Sequence, residues 1–159
     1  MSFRFDAFIS YAEEDRTYII ELVKNLEKDY GLNLCIHSRD FIPGIGIADD
    51  ITNAIQCSRQ TVCFMTKYFL DSYWCMFELN MARMDAVYSR KWQNVLFLVA
   101  LERGIMKLLP LQLMDLVDSR SYLDCPTDEM GTKDIKALFA FHTKLGEVLT
   151  ACPIIMRRQ

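Results

Sequence analysis

The stretch Trp74-Cys-Met-Phe-Glu78 sets a carboxylate four residues after a tryptophan, in a segment that is otherwise apolar. At helical spacing the two side chains share a face. A carboxyl at the edge of an apolar stripe has its pKa raised, the usual condition for a group that acts on a substrate. The ordinary alternative is structural: a hydrogen bond to a nearby backbone amide or an ion pair with Arg83. On the residues alone the structural role is favoured, because such networks perturb carboxyls too.

Other chemistry-bearing residues offer less. Gly44-Ile-Gly46 opens a helix and so invites a phosphate. A dinucleotide fingerprint needs its glycines directly after a strand and a third small residue three positions on. Here the strand "LNLCI" ends several residues earlier, and the third position is Asp49, followed by Asp50. Two carboxylates in the first turn satisfy the helix dipole and repel a phosphate, so no nucleotide is expected at this loop. His37 ends a strand and His142 lies on a mostly apolar helix face, where a satisfied structural imidazole is commoner than a catalyst. There is no G-x-S-x-G, H-E-x-x-H or Walker lysine loop, which leaves a hydrolase triad or a metalloenzyme without a foothold. The six cysteines, at 35, 57, 63, 75, 125 and 152, include no C-x-x-C and lie mostly in apolar runs such as "NLCIH" and "TVCFM". They read as small buried hydrophobes in a reducing compartment, not as zinc ligands or a disulfide framework.

Ser38 to Gly46, "SRDFIPGIG", suggests recognition instead of catalysis. It sets the apolar pair Phe41-Ile42 between the charged Arg39-Asp40 and the turn-forming Pro43-Gly44. Loops run over the surface, where Phe and Ile gain nothing from water. Exposed Phe41 and Ile42 would give a partner apolar area to bury, while Arg39 and Asp40 set orientation by complementary charge. Pro43 restricts the loop before docking, so less entropy is lost. Folding of Phe41 or Ile42 back onto the domain is the alternative.

The elements that must position these residues alternate. "FRFDAFISY" (Phe3 to Tyr11) reads as a strand, and a helix follows with Ile19, Leu22, Val23, Leu26 and Tyr30 at helical spacing. Asp15 is its expected N-cap and Gly31 its C-terminal stop. "LNLCIH" is a second strand, and Ile47, Ile51, Ala54 and Ile55 mark one face of a second helix. Gln60 to Thr66 and "NVLFLVAL" are short apolar runs suited to strands buried on both faces. Between them Trp74, Phe77, Met81, Met84 and Tyr88 form an apolar helical stripe. "SYLDCP" is a short fifth strand, and a last helix carries Ile135, Leu138, Leu145 and Leu149. Arg103 to Asp118 is apolar but broken by Pro110, and its form is left open. The tail "CPIIMRRQ" is expected to fray or lie against the surface. Strands alternating with helices imply a parallel sheet between helical layers.

The 159 residues fit one domain, and 52% hydrophobic with 25% charged residues is globular. A net charge of -3 gives no electrostatic reason for a nucleic acid or an anionic membrane as partner. The longest apolar run, Val95 to Leu101, falls far short of the roughly 20 residues a spanning helix needs. "MSFRFDAF" lacks the apolar stretch of a secretory signal, so a cytosolic chain is expected.

In order, "FDAFISY", "RDFIPG" and "SYWCMFEL" closely resemble the first two boxes and the tryptophan-glutamate helix of the Toll/interleukin-1 receptor (TIR) domain. The resemblance runs from about Phe5 to Leu149 and includes "LLPLQLMDLVDSRSYLDCP". Within the family, "LCIHSRDFIPG" and "YWCMFEL" look most like the cytoplasmic domain of Toll-like receptors. It implies a flavodoxin-like three-layer sandwich, a five-stranded parallel sheet with helices on both faces, as one domain with a core of about 5–149 and a tail at 150–159. It also implies that Arg39, Asp40, Phe41, Ile42, Pro43, Gly44 and Ile45 form a protein-contact loop in which Pro43 matters for signalling. The partners implied are TIR-containing adaptors and other copies of the chain. No cofactor is implied, and any membrane association comes from tethering in a longer receptor, not from contact by this chain.

The same resemblance carries an enzymatic alternative. Some TIR domains cleave the nicotinamide-ribose bond of NAD with a glutamate at the position of Glu78, NAD being substrate, not cofactor. Glu78 would stabilise positive charge on the ribose as nicotinamide leaves. Glu13, Glu14 and Asp15 would sit near the mouth of that cleft, where they disfavour a pyrophosphate. Two positions depart from the family pattern: Phe139-Ala140, with Phe141 beyond, replaces a Phe-Trp pair, and Ile45 stands where receptor members often carry a basic residue.

Overall fold

The computed structural model describes residues 3–37, 46–88, 96–114, 122–124 and 135–150, and for 112, 122–124 and 135–142 the backbone only. Strands β1 (Phe5–Ser10), β2 (Leu34–Ile36), β3 (Ser58–Met65), β4 (Leu96–Ala100) and β5 (Tyr122–Asp124) pair in parallel, in the order β2-β1-β3-β4-β5. The helices are α1 (Arg16–Tyr30), α2 (Ile47–Cys57), α3 (Lys67–Asp71), α4 (Tyr73–Tyr88) and α5 (Ile135–Thr150).

Successive strand residues point to opposite faces, and that alternation divides the core in two. Phe8, Cys63, Met65 and Leu98 join Ile51, Phe69 and Leu79 beneath α2, α3 and α4. Ala7, Ile9, Val62, Phe64 and Val99 join Leu22, Leu26, Leu145 and Leu149 beneath α1 and α5. Both faces of β1, β3 and β4 are therefore covered, which is why these strands are largely apolar runs rather than alternating ones. The result is the parallel sheet between helical layers expected from the alternating elements, and the flavodoxin-like sandwich that the resemblance implies.

Helix α1 buries Ile19, Leu22, Val23 and Leu26 as its periodicity requires. Gly31 ends it in the left-handed region at φ 64°, its N–H donating to the Glu27 carbonyl at 3.1 Å. Asp15 occupies the N-cap position but makes no side-chain capping bond, because its carboxylate is directed to Thr66. The stretch interrupted by Pro110 forms two 3-10 turns, Ile105–Leu108 and Leu111–Leu113, with Pro110 at the N-cap of the second.

The expected face of α4 is wrong, and that of α2 is one residue too long. In α4 the residues turned to the sheet are Cys75, Glu78, Leu79, Ala82 and Ala86, while Trp74, Met84 and Tyr88 are exposed. A helix lying close over a sheet accepts small side chains at the contact, and the largest apolar residues are displaced outward. In α2, Ile51, Ala54 and Ile55 are buried, but Ile47, its first residue, is exposed a turn before the core contact begins.

The docking of α5 on α1 depends on the absence of a side chain at Gly146. A Cβ there would lie 2.2 Å from Tyr30 Cε2 and 2.3 Å from Cζ, and the Tyr30 hydroxyl donates to the Thr143 carbonyl at 3.3 Å. Gly146→Ala should therefore cost about 1–2 kcal/mol net, overpacking outweighing a helix-propensity gain of about 1 kcal/mol. In a Tyr30→Ala background the ring is gone, and the same change should stabilise by about 1 kcal/mol. Urea melts of the four proteins check this, and equal effects in both backgrounds would clear Tyr30 of the role.

Candidate functional site

The strand order reverses between β1 and β3, and in open α/β sheets the crevice past the strands' carboxyl ends at such a reversal is the usual ligand position. Ser10 ends β1 there, Thr66 follows β3 directly, and Glu78 hangs from the second turn of α4. Ser10 shares the strand face of Phe8, the side on which α4 packs.

Glu78 is only 7% exposed. The Ser10 hydroxyl donates to its Oε2. Burial pushes the carboxyl from its ordinary 4.5 up to about 7, and the Ser10 bond holds it down only in part. No cation of the described residues contributes to that shift. Burial, and then the charge of Glu78, lifts the Cys63 thiol well above 9. Burial also pushes the Cys75 thiol up to about 12, against a bond to Ser72 and with help from Glu78, Glu14 and Asp15. The Cys75 Sγ donates to the Tyr11 carbonyl at 3.4 Å.

Beside this cluster Thr66 joins three elements. Its Oγ1 donates to Asp15 Oδ2 at 2.7 Å and accepts the Phe69 N–H at 3.2 Å. The 3-10 turn Glu13–Asp15 is thereby held at the carboxyl end of β1, where its charges border the crevice as expected.

Chemically, neither thiol is a thiolate near neutral pH, so the cluster contains no sulfur nucleophile. Glu78 is a closed acid, about half protonated near neutrality. It can store a proton and hold α4 to β1, but offers no constant negative charge to a cationic transition state. Among the described residues no cluster of His, Cys, Asp and Glu could hold a metal.

Glu78 has the raised pKa expected of a carboxyl beside an apolar stripe, but its partner is Ser10, not a backbone amide or Arg83. Trp74 does not accompany it into the crevice. Residues four apart differ by about 40° around a helix, and here the edge of the buried face falls between them. Trp74 instead stands edge-on to Tyr73, with ring centroids 5.2 Å apart, and to Phe77 at 5.6 Å.

Arg39, Asp40, Phe41, Ile42, Pro43, Gly44 and Ile45 lie outside the described residues, as do the His142, Phe139, Ala140 and Phe141 side chains, Cys125 and the tail 151–159. Their flanks are described: His37 is exposed, and Gly46 is the N-cap of α2, followed by Asp49 and Asp50 in its first turn. Cys35, Cys63 and Cys75 are buried as expected, whereas Cys57 at the end of α2 is exposed. Ser10 and the Thr66–Asp15 link are site features that motif reading missed. The available signal was a small polar residue at a core-facing strand position, 68 residues from Glu78.

A parallel sheet in flavodoxin order, with a buried acid and an acidic turn at the β1/β3 reversal, defines a doubly wound α/β sandwich. A family model for the TIR domain matches residues 7–138, and the chain belongs to that family. It is 48% identical over 130 residues to "Toll-like receptor 4" of Pinctada imbricata, covering 81% of this chain and 14% of the receptor. It is 41% identical over 103 residues to "Toll-like receptor 13" of Mus musculus, covering 63% of this chain and 10% of the receptor. The chain thus spans a small part of the receptors it matches.

Solved structures share the fold. The TIR domain of the Toll-related receptor TRR-2 from Hydra magnipapillata superposes with a TM-score of 0.68 at 21% identity, covering 92% of this chain and 99% of that one. A metazoan TIR-STING receptor from C. gigas gives 0.68 at 23% identity, covering 94% of this chain and 41% of that one.

Proposed function

We propose that this chain is the cytoplasmic signalling domain of a Toll-like receptor, which associates with copies of itself and recruits TIR-containing adaptors through TIR–TIR contacts. It acts as one domain, with a core of about 5–149 and a tail at 150–159. The observation that carries this reading is the closure of Glu78. Glu78, placed at the β1/β3 reversal, is buried, bonded to Ser10 and partly neutral, which supports a function carried by the surface. The similarity to Toll-like receptors supports the same class.

The docking tip is the loop Arg39 to Ile45. Single contacts are weak, and tethering to a membrane by a longer receptor raises effective concentration until assembly becomes switch-like. Among the described residues no helix is long and apolar enough to cross a membrane. Pro43→His should reduce adaptor recruitment at least tenfold while the thermal melt stays as in the parent. A folded variant that recruits normally would sink the reading.

A second reading, NAD glycohydrolase, is favoured by one observation, the position of Glu78 at the β1/β3 reversal. Its test is nicotinamide release from NAD by the chain clustered on vesicles, beside Glu78→Ala. Turnover in the parent that disappears in a folded Glu78→Ala would make the chain an enzyme, and none in either leaves the signalling reading standing.

A further inference from the structure

A groove runs between α2 and α4, away from the Glu78 cluster. Both helices cross over between parallel strands, so both run against the strands and parallel to each other. Their C-terminal halves lie side by side, and Ile55 and Gln56 of α2 face Met81, Met84, Asp85 and Tyr88 of α4 across about 200 Å³. Ile55 is buried, whereas Met84 is 50% and Tyr88 78% exposed, which gives the groove an apolar base and an open rim. Tyr88 ends α4, about 15 Å along the helix from Glu78.

The electrostatics of the groove favour a positive guest. Both helices end beside it, and a helix C-terminus carries a partial negative charge on its unpaired carbonyls. Neither helix has a basic residue in its last turn, and Asp85 adds a carboxylate to the lining. Helix α2 contains no cation, and α4 contains only Arg83, which does not line the groove. Arg59, just past α2, is turned to the other face of the sheet, where it lies 3.7 Å from Asp6 and donates to the Leu149 carbonyl. Arg90 and Lys91 follow α4 outside the described residues. The remaining lining suits the apolar part of an organic cation. Thioethers adapt to an irregular guest, and the face of a phenol ring attracts positive charge. The volume is below the roughly 300 Å³ at which sites for drug-sized ligands begin, so the guest must be small.

We propose that this groove binds a small organic ammonium, its charged head beside Asp85 and the Tyr88 ring and its short apolar stem along Met81 and Met84. An anion would meet two helix C-termini and a carboxylate there, and a neutral guest would gain nothing from that field. A bound ammonium ties α2 to α4 and stabilises the folded chain by mass action.

The test follows the methionine methyl groups of the whole chain by NMR as phenethylammonium is added, with neutral phenethyl alcohol alongside. The Met81 and Met84 methyls should shift and saturate with the amine, and the alcohol should bind about tenfold more weakly, the loss expected of one charged contact. Asp85→Asn should remove that difference, and high salt should narrow it by screening. Gln56→Lys places an ammonium of the chain's own in the last turn of α2 and should block the amine. Gln56 is exposed, so this second variant decides the matter should the melt of Asp85→Asn fall. No saturable shift at Met81 and Met84, equal affinity for amine and alcohol in the parent, or undiminished binding by Gln56→Lys would each overturn the proposal. Shifts confined to other methionines would overturn it too, because the amine would then bind elsewhere. So would Met81 and Met84 shifts that follow protein concentration without any amine and vanish in Met84→Glu, since the groove would then be a contact between copies of the chain.

Discussion

Glu78→Gln is expected to stabilise the protein by up to about 3 kcal/mol above neutral pH, with little effect near pH 4. The carboxyl releases its proton near 4.5 in an open chain and near 7 when folded. Below the first value both states hold the proton, and the folded state carries no penalty from this group. Between the two only the folded state holds it, so stability falls as pH rises. Above the second both are ionised and the loss is constant, about 1.4 kcal/mol for each pH unit of the gap. Glutamine keeps the shape and offers Ser10 an acceptor, but has no proton to lose. Urea midpoints followed from about pH 4 to pH 8 should slope downward for the parent relative to the variant, which is flat in this contribution. Parallel curves would mean that Glu78 titrates as an open carboxyl and is not held closed against β1. The same variant separates the functional readings, since a signalling domain keeps adaptor recruitment whereas a glycohydrolase loses turnover.

The part of this site legible in the sequence was the part written locally. Glu78 stood out because a carboxylate in an apolar helix is costly wherever that helix packs. The periodicity of α1 named Ile19, Leu22, Val23 and Leu26 correctly because its other face is polar and only one registration is possible. Helix α4 is apolar nearly all round, so its pattern allows several stripes. Ranking residues by size selected the outer one, whereas close approach to the sheet selected Cys75, Ala82 and Ala86. Ser10 could not be assigned to Glu78 because their meeting depends on how α4 lies across β1, a tertiary relation with no sequence period. Asp15 shows the same limit: the N-cap position is local and was readable, but the diversion of its carboxylate to Thr66 is not.

Phe69→Ala is expected to cost about 3–5 kcal/mol, a large share of the roughly 5–15 kcal/mol that holds a domain together. Helix α3 has five residues, too few to persist on propensity, since isolated helices under about 12 residues are marginal. It is held by the fully buried Phe69 ring and by the Thr66 cap. Its backbone adds bonds from Leu70 N–H to the Thr66 carbonyl and from Ser72 N–H to the Phe69 carbonyl, each 3.1 Å. Because Thr66 also donates to Asp15, loosening α3 should release the acidic turn with it. Amide exchange at Leu70 and Ser72 should therefore accelerate more than exchange in β3. Tyr68, one residue earlier, is exposed, and Tyr68→Ala should change stability by no more than about 0.5 kcal/mol. Adjacent positions thus differ in their hold on the fold. Equal stability losses at both would mean that α3 is not anchored through Phe69.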